Sequence, residues 1–304
     1  MNHERPSGWL VDGSLVAVTL IWGATFVLVK QALADVSTLL FLTLRFSIAA
    51  VALALIFRKE FRAPRASASL LRGVVAGIFL FAGYVLQTAG LRFTSASKAG
   101  FLTGLYVPLV PIIGGLVLQK LPQISELIGI AIACVGMVLL TVQKDILHIG
   151  HGSGIGRGDL LVLGCAAAYS CHILILGRFA PRSNVGVLTV AQIATGALLG
   201  AATFWWVEPV RLAWTPSVCL ALGVTSLLAT ALAFFVQTWA QRWSSPTRTV
   251  LIFSLEPVFA WLTSYLIAGE VLSHRGVAGA ALILAGILVV ELKPIRRRRE
   301  HIVT

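Results

Sequence analysis

Arg45 and Glu256 each lie well inside a long apolar run of this 304-residue chain, and theirs is the chemistry that needs explaining first. An ionisable group in such a run costs at least a few kcal/mol unless it finds a partner or a wet cavity. Arg45 has two readings. It snorkels to a head group or caps helix carbonyls, or it pairs with a carboxylate or holds an anionic substrate. Glu256 stands beside Pro257. A proline removes a backbone hydrogen bond and bends a helix, and a carboxylate beside such a kink can change protonation between two states. Glu256 is therefore the first candidate for proton coupling, against a plain hinge role for the Glu-Pro pair. Pro108 and Pro111 give an earlier run similar breaks without a carboxylate, so any proton chemistry is asymmetric.

His172, after Tyr169 and Cys171, is a hydrogen-bonded packing residue or a substrate contact and proton relay. No second ligand stands at helical spacing from it, so no metal or other cofactor is expected. Trp22, Tyr84, Tyr106, Tyr169 and Phe253 could stack on a ligand, and Gln87, Gln237, Thr88 and Thr238 offer neutral hydrogen-bonding groups. Thr103 joins the cavity candidates. Trp205, Trp206, Trp214, Trp239 and Trp243 sit near run ends and read as an interfacial belt. Motifs for an intramembrane or nucleotide-driven enzyme are missing: no His-Glu-x-x-His, Gly-x-Ser-x-Gly or phosphate-binding loop occurs.

The elements that must carry these side chains are ten apolar runs, near 12–32, 37–57, 69–91, 96–118, 124–143, 158–178, 185–207, 216–239, 246–268 and 274–293. About 20 residues of helix cross the roughly 30 Å hydrocarbon core of a bilayer. The chain is 58% hydrophobic and 12% charged, with a mean hydropathy of +0.91, whereas soluble domains carry about 25% charged residues. A net charge of +12 would suggest nucleic acid on a soluble protein. Here the basic residues flank apolar runs, so they orient the chain and no nucleic-acid partner is expected. With the N-terminus in the cytoplasm, 16 of the 24 Lys and Arg residues fall on the inner side and 7 on the outer, which places both termini inside. The basic tail, residues 294–304 after Lys293, reads as a stop anchor touching anionic lipid. Cys134, Cys165, Cys171 and Cys219 lie in apolar runs and read as small buried apolar residues. The polar first 11 residues are too short for a signal peptide.

The chain repeats itself. Gln87, Thr88, Arg92 and Ser95 match Gln237, Thr238, Arg242 and Ser245 at an offset of 150, and Gly129 and Gly136 match Gly279 and Gly286 at the same offset. Pro108 matches Pro257 at 149, and Arg45 corresponds to a position near Gln192. Five runs repeated once must enter the membrane from opposite sides, the inverted arrangement of secondary transporters. The expected fold is all-α and polytopic: ten transmembrane helices in two inverted five-helix repeats, residues 1–146 and 156–293. Gly73, Gly77, Gly196 and Gly200 read as close-packing positions, and Gly100 and Gly104 as a source of gating flexibility.

The residues Leu20-Ile21-Trp22-Gly23, Leu44-Arg45-Phe46, Thr94-Ser95-Ala96-Ser97-Lys98-Ala99, Ser254-Leu255-Glu256-Pro257-Val258 and Gly269-Glu270 occur in an order that resembles the drug/metabolite transporter superfamily in its EamA-like ten-span form. The resemblance covers nearly the whole chain. It implies two packed five-helix halves, export of small metabolites or drugs, and a central cavity lined chiefly by helices 1, 3, 4, 6, 8 and 9. One departure is Lys120, which faces Glu270 in the repeat where such proteins often carry a second glutamate.

The expectation is a carrier that moves a small metabolite or drug-like molecule by alternating access, most simply an exporter of amino acids or related metabolites, with protons as a candidate coupling ion. An uptake permease for a nucleoside or organic cation is the alternative, and a receptor or scaffold the reading outside transport. The expected setting is a bacterial inner membrane, with the protein a monomer or homodimer whose other partners are substrate and lipid.

Overall fold

The computed structural model describes residues 6–64, 66–93, 99, 102–118, 122–141, 156–268 and 273–291. Thr94–Lys98, Gly100, Lys120, Gly269, Glu270 and the basic tail lie outside the described residues. The described residues form an all-helical protein: α1 Gly8–Ala32, α2 Thr38–Ile56, α3 Ala66–Gly90, α4 Tyr106–Leu118, α5 Ile124–Thr141, α6 Arg157–Phe179, α7 Val185–Val207, α8 Pro216–Ala240, α9 Pro246–Phe253, α10 Glu256–Ala268 and α11 His274–Glu291. Six of them hold stretches long and apolar enough to cross a bilayer, and α4, α5 and α11 contain shorter apolar helices.

Helix starts follow local chemistry. The side chains of Ser7, Asn184, Thr215 and Ser245 accept hydrogen bonds from backbone N–H groups three residues on, and Pro216 and Pro246 occupy first helical positions where a missing N–H costs nothing. The outer surface is apolar: Leu55, Leu71, Leu116, Leu198 and Trp206 are all largely exposed. On a soluble protein such a surface would aggregate; on this one it faces lipid. Trp205, Trp206 and Trp214 are exposed, as a belt requires. Trp239 and Trp243 are not: they are half-buried and pack against the core. Of the four cysteines only Cys165 is buried as expected; Cys134 and Cys171 are half-buried and Cys219 is exposed.

Two features depart from the expected helices. The runs read as 96–118 and 246–268 are each broken, at Leu105 and at Ser254–Leu255. The break precedes Glu256, so Pro257 is the second residue of α10 rather than a mid-helix kink, and Pro108 is the third residue of α4. The other departure is in α8, where Leu227–Leu232 form a π-helical segment.

Small residues set the packing. A Cβ built on Gly136 would fall 2.6 Å from the Gly279 carbonyl oxygen, and one built on Gly286 would fall 2.5 Å from that of Gly129. Helices α5 and α11 therefore touch backbone to backbone, each through the same two positions 150 residues apart. Gly73 and Gly77 bring α3 against Ala191, Gln192 and Thr195 of α7. Gly104 abuts Met137, so packing accounts for it.

Helix ends that bond to one another define two faces. On the near face, where α1 begins, Arg248 pairs with Asp12 at 2.5 Å and the Asn184 N–H donates to Ser69 Oγ. On the far face Val36 and Leu212 form a bridge, and Arg92 pairs with Glu208 at 3.1 Å.

Candidate functional site

Between the faces lies a cavity of about 810 Å³, counting the open space at its mouth. Its walls come from α1, α2, α3, the turn before α4, α4 itself, α6, α8, α9 and α10. Trp22, Tyr84, Gln87, Thr103, Tyr106, Tyr169, His172, Gln237 and Phe253, the nine cavity candidates, all line it, as do Arg45, Glu256 and Thr88. Pro108 and Pro257 are not among its lining residues; each sits in the first turn of its helix.

Arg45 is 5% exposed. Its Nε donates to Thr230 Oγ1 at 2.6 Å, and its Nη2 donates to Tyr84 OH at 3.1 Å and to the Ala229 carbonyl at 3.4 Å. All three partners are neutral, and Nη1 has no partner among the described residues. Of the two readings, the contact with the Ala229 carbonyl fits a helix-carbonyl cap, and no carboxylate pairs with Arg45 among the described residues. The π-helical segment explains this arrangement. A wider turn leaves carbonyl oxygens outside the regular ladder. The Ala229 oxygen, within this segment, accepts from Arg45 and also, at 2.9 Å, from Trp22 Nε1. Trp22 in turn packs on Phe234 and Phe253, with ring centroids 5.3 and 5.0 Å apart.

Glu256 stands across the cavity at the head of α10. Its Oε2 accepts from Tyr106 OH at 3.3 Å, while Oε1 has no partner among the described residues. Tyr106 and Glu256 are the first residues of α4 and α10 and are 150 positions apart. The helix breaks at Leu105 and Leu255 are what bring these counterparts together.

Neutral groups fill the rest of the wall. Gln87 Nε2 donates to Thr103 Oγ1 at 3.2 Å and its Oε1 accepts from Tyr169 OH at 3.5 Å. Gln237 Nε2 donates to Gln241 Oε1, and Gln241 Nε2 to the Ile173 carbonyl. His172 Nε2 bonds Gln192 Oε1 at 2.8 Å. Sequence reading missed Thr230, Phe234 and the Ala229 carbonyl. Nothing in Leu-Leu-Ala-Thr-Ala-Leu signals a π turn, because what that segment contributes is a backbone oxygen. Gln192 was visible as a polar residue in an apolar run. Among the described residues no cluster of His, Cys, Asp and Glu could hold a metal ion.

A polar-lined, aromatic-walled cavity inside an apolar-surfaced helical bundle is the architecture of an integral membrane transporter. The chain belongs to the EamA-like transporter family, whose model matches twice, over residues 10–142 and 156–292. It is similar to an uncharacterized transporter of Archaeoglobus fulgidus, 34% identical over 93% of this chain and 86% of the relative. It is also similar, at 25% identity over 91% and 94% of the two chains, to a Salmonella typhimurium protein described as a probable amino-acid metabolite efflux pump. A solved crystal structure shares the fold, with a TM-score of 0.75 at 20% identity, covering 94% of this chain and 98% of that one.

Proposed function

We propose that the protein exports a zwitterionic small metabolite, an amino acid with an apolar or aromatic side chain, by alternating access. The observation that carries this reading is the pair of opposite charges that line the same cavity. Arg45 Nη1 is free to take a carboxylate, and Glu256 Oε1 to take an ammonium group. Trp22, Tyr84, Phe234 and Phe253 supply an aromatic surface for the side chain. A zwitterion satisfies both charges at once. The name of the Salmonella relative agrees with this substrate class.

The same carboxylate can serve coupling. A proton and a substrate ammonium compete for Glu256, so each displaces the other, and exchange of one for the other across the membrane is antiport. Ten spans in two oppositely inserted five-helix repeats, 1–146 and 156–293, supply the alternation. The reciprocal glycine contact of α5 and α11 supports that symmetry, as do the matched breaks at Leu105 and Leu255. Both termini lie in the cytoplasm of a bacterial cell on this reading. The competing substrate is an organic cation taken up rather than expelled. The aromatic wall and Glu256 suit it, but it leaves Arg45 without a counter-charge.

The test is a thermal-shift binding panel on purified protein, using L-phenylalanine, 3-phenylpropionate and phenethylamine. L-phenylalanine should stabilise the protein most, since each partner analogue lacks one of its two charges. Preference for phenethylamine would replace the zwitterion with a cation. Direction follows from overexpression: resistance to a toxic amino-acid analogue means export, sensitivity means uptake.

A further inference from the structure

The polar contacts behind the cavity wall fix the orientation of one of its side chains. Thr238 Oγ1 lies 2.6 Å from the Phe234 carbonyl, which can only accept, so the hydroxyl donates there. It is then left as an acceptor for Gln192, 2.9 Å away, which must present its NH2. The Gln192 oxygen therefore faces His172 and accepts from Nε2–H. All three side chains are buried, and His172 lines the cavity. A neutral imidazole protonated on Nε2 carries a lone pair on Nδ1, and Nδ1 has no partner among the described residues. We infer that Gln192 and Thr238 are positioning residues that hold His172 in the Nε2–H tautomer, so that Nδ1 is offered to the substrate as a hydrogen-bond acceptor. The substrate then carries an N–H donor at that point. This rests on the amino-acid reading above, whose ammonium group supplies such donors.

The tautomer is read directly by 15N NMR of histidine-labelled protein in lipid, with a His172→Asn difference spectrum for assignment. Wild type and Thr238→Ser should show Nδ1 unprotonated. Thr238→Val removes the acceptor and frees the Gln192 amide to turn over, so the Nε2–H signature weakens and L-phenylalanine affinity falls about tenfold. Addition of L-phenylalanine should shift the Nδ1 signal, and 3-phenylpropionate should not. An Nδ1–H tautomer in wild type, or an Nδ1 signal unmoved by bound L-phenylalanine, overturns the inference. The expected tautomer in a protein that binds none of the probes contradicts the amino-acid reading and upholds the positioning by Gln192 and Thr238.

A different set of contacts carries a second inference. Glu208, at the end of α7, accepts from the N–H of Leu39, the second residue of α2, and pairs with Arg92 at 3.1 Å on the far face. On the near face Glu60, following α2, abuts Gly186, the second residue of α7. Arg242 is the repeat counterpart of Arg92. Glu60 and Arg242 do not pair; both line a second, open-mouthed cleft between α2, α7 and α8, of about 1090 Å³ counting the solvent space at its mouth. One ionic contact is closed while its counterpart stands open. We propose that the two are alternating latches, Arg92–Glu208 holding the far face in this conformation and Arg242–Glu60 holding the near face in the other. Arg92 keeps 42% of its side chain in solvent although Glu208 keeps only 10%, so the far-face pair is partly hydrated and weaker than a fully buried one, which lets it break and re-form in each cycle.

Disulfide trapping in a variant without the four native cysteines tests this and needs no substrate. Arg92→Cys with Glu208→Cys should cross-link, and so should Glu60→Cys with Arg242→Cys. With all four changes in one molecule, formation of either disulfide should suppress the other. Simultaneous formation of both, or complete failure of the near-face pair to cross-link, overturns the latches and leaves the substrate reading untouched.

Discussion

Arg45 shows how a buried charge is kept without a counter-ion: a hydroxyl, a phenol and a carbonyl divide its donors. Such hydrogen bonds to a charged group contribute about 1.5–3 kcal/mol each. Thr230→Val should therefore lower stability by about 1–3 kcal/mol, read as a drop in Tm, because the guanidinium then loses its shortest contact. Thr230→Ser, which keeps the hydroxyl, should stay close to wild type. Glu256 makes a different prediction. If a proton and an ammonium group compete for it, Glu256→Gln removes the titrating group, and transport should lose its pH dependence while the protein remains folded. A pH profile unchanged in that variant removes Glu256 from coupling. The polar candidates were legible because a glutamine, histidine or arginine stands out in an apolar run. The partners were not: whether Arg45 meets a carboxylate or a carbonyl depends on which helix passes it, and run composition does not encode that.

At the scale of elements, glycine decides which helices touch. Gly136 and Gly286 face backbone, whereas a Cβ on Gly223 would meet nothing within 4 Å. Gly136→Ala should destabilise the protein by about 1–3 kcal/mol through overpacking. Gly223→Ala should be neutral or stabilise by up to about 1 kcal/mol through helix propensity. Thermal denaturation of the two variants separates close packing from mere small-residue composition; equal effects would contradict it. The helix limits were readable within a few residues because apolar length and capping residues mark them, as at Val185–Val207. The breaks at Leu105 and Ser254–Leu255 were not. The prolines drew attention to Pro108 and Pro257, yet a proline in the first turn of a helix records only that a helix begins there. The π turn in α8 was invisible for the same kind of reason, since its effect is carried by the backbone.

At the scale of the molecule, the repeat offset of 150 reappears as contact. Tyr106 meets Glu256, and the α5 glycines meet those of α11 in reciprocal order. A five-span half ends on the side opposite its start, with three spans between residues 66 and 150, so cysteines introduced near these two positions should react with an impermeant label from opposite sides of the membrane. Reaction of both from one side would contradict the inverted arrangement. The central claim is that the cavity between these halves binds a zwitterion and carries it across. Counterflow measures that most directly. Proteoliposomes loaded with unlabelled L-phenylalanine should accumulate labelled L-phenylalanine from outside, with Glu256→Gln strongly impaired and 3-phenylpropionate a poor competitor. Accumulation no greater than in protein-free liposomes would contradict the account.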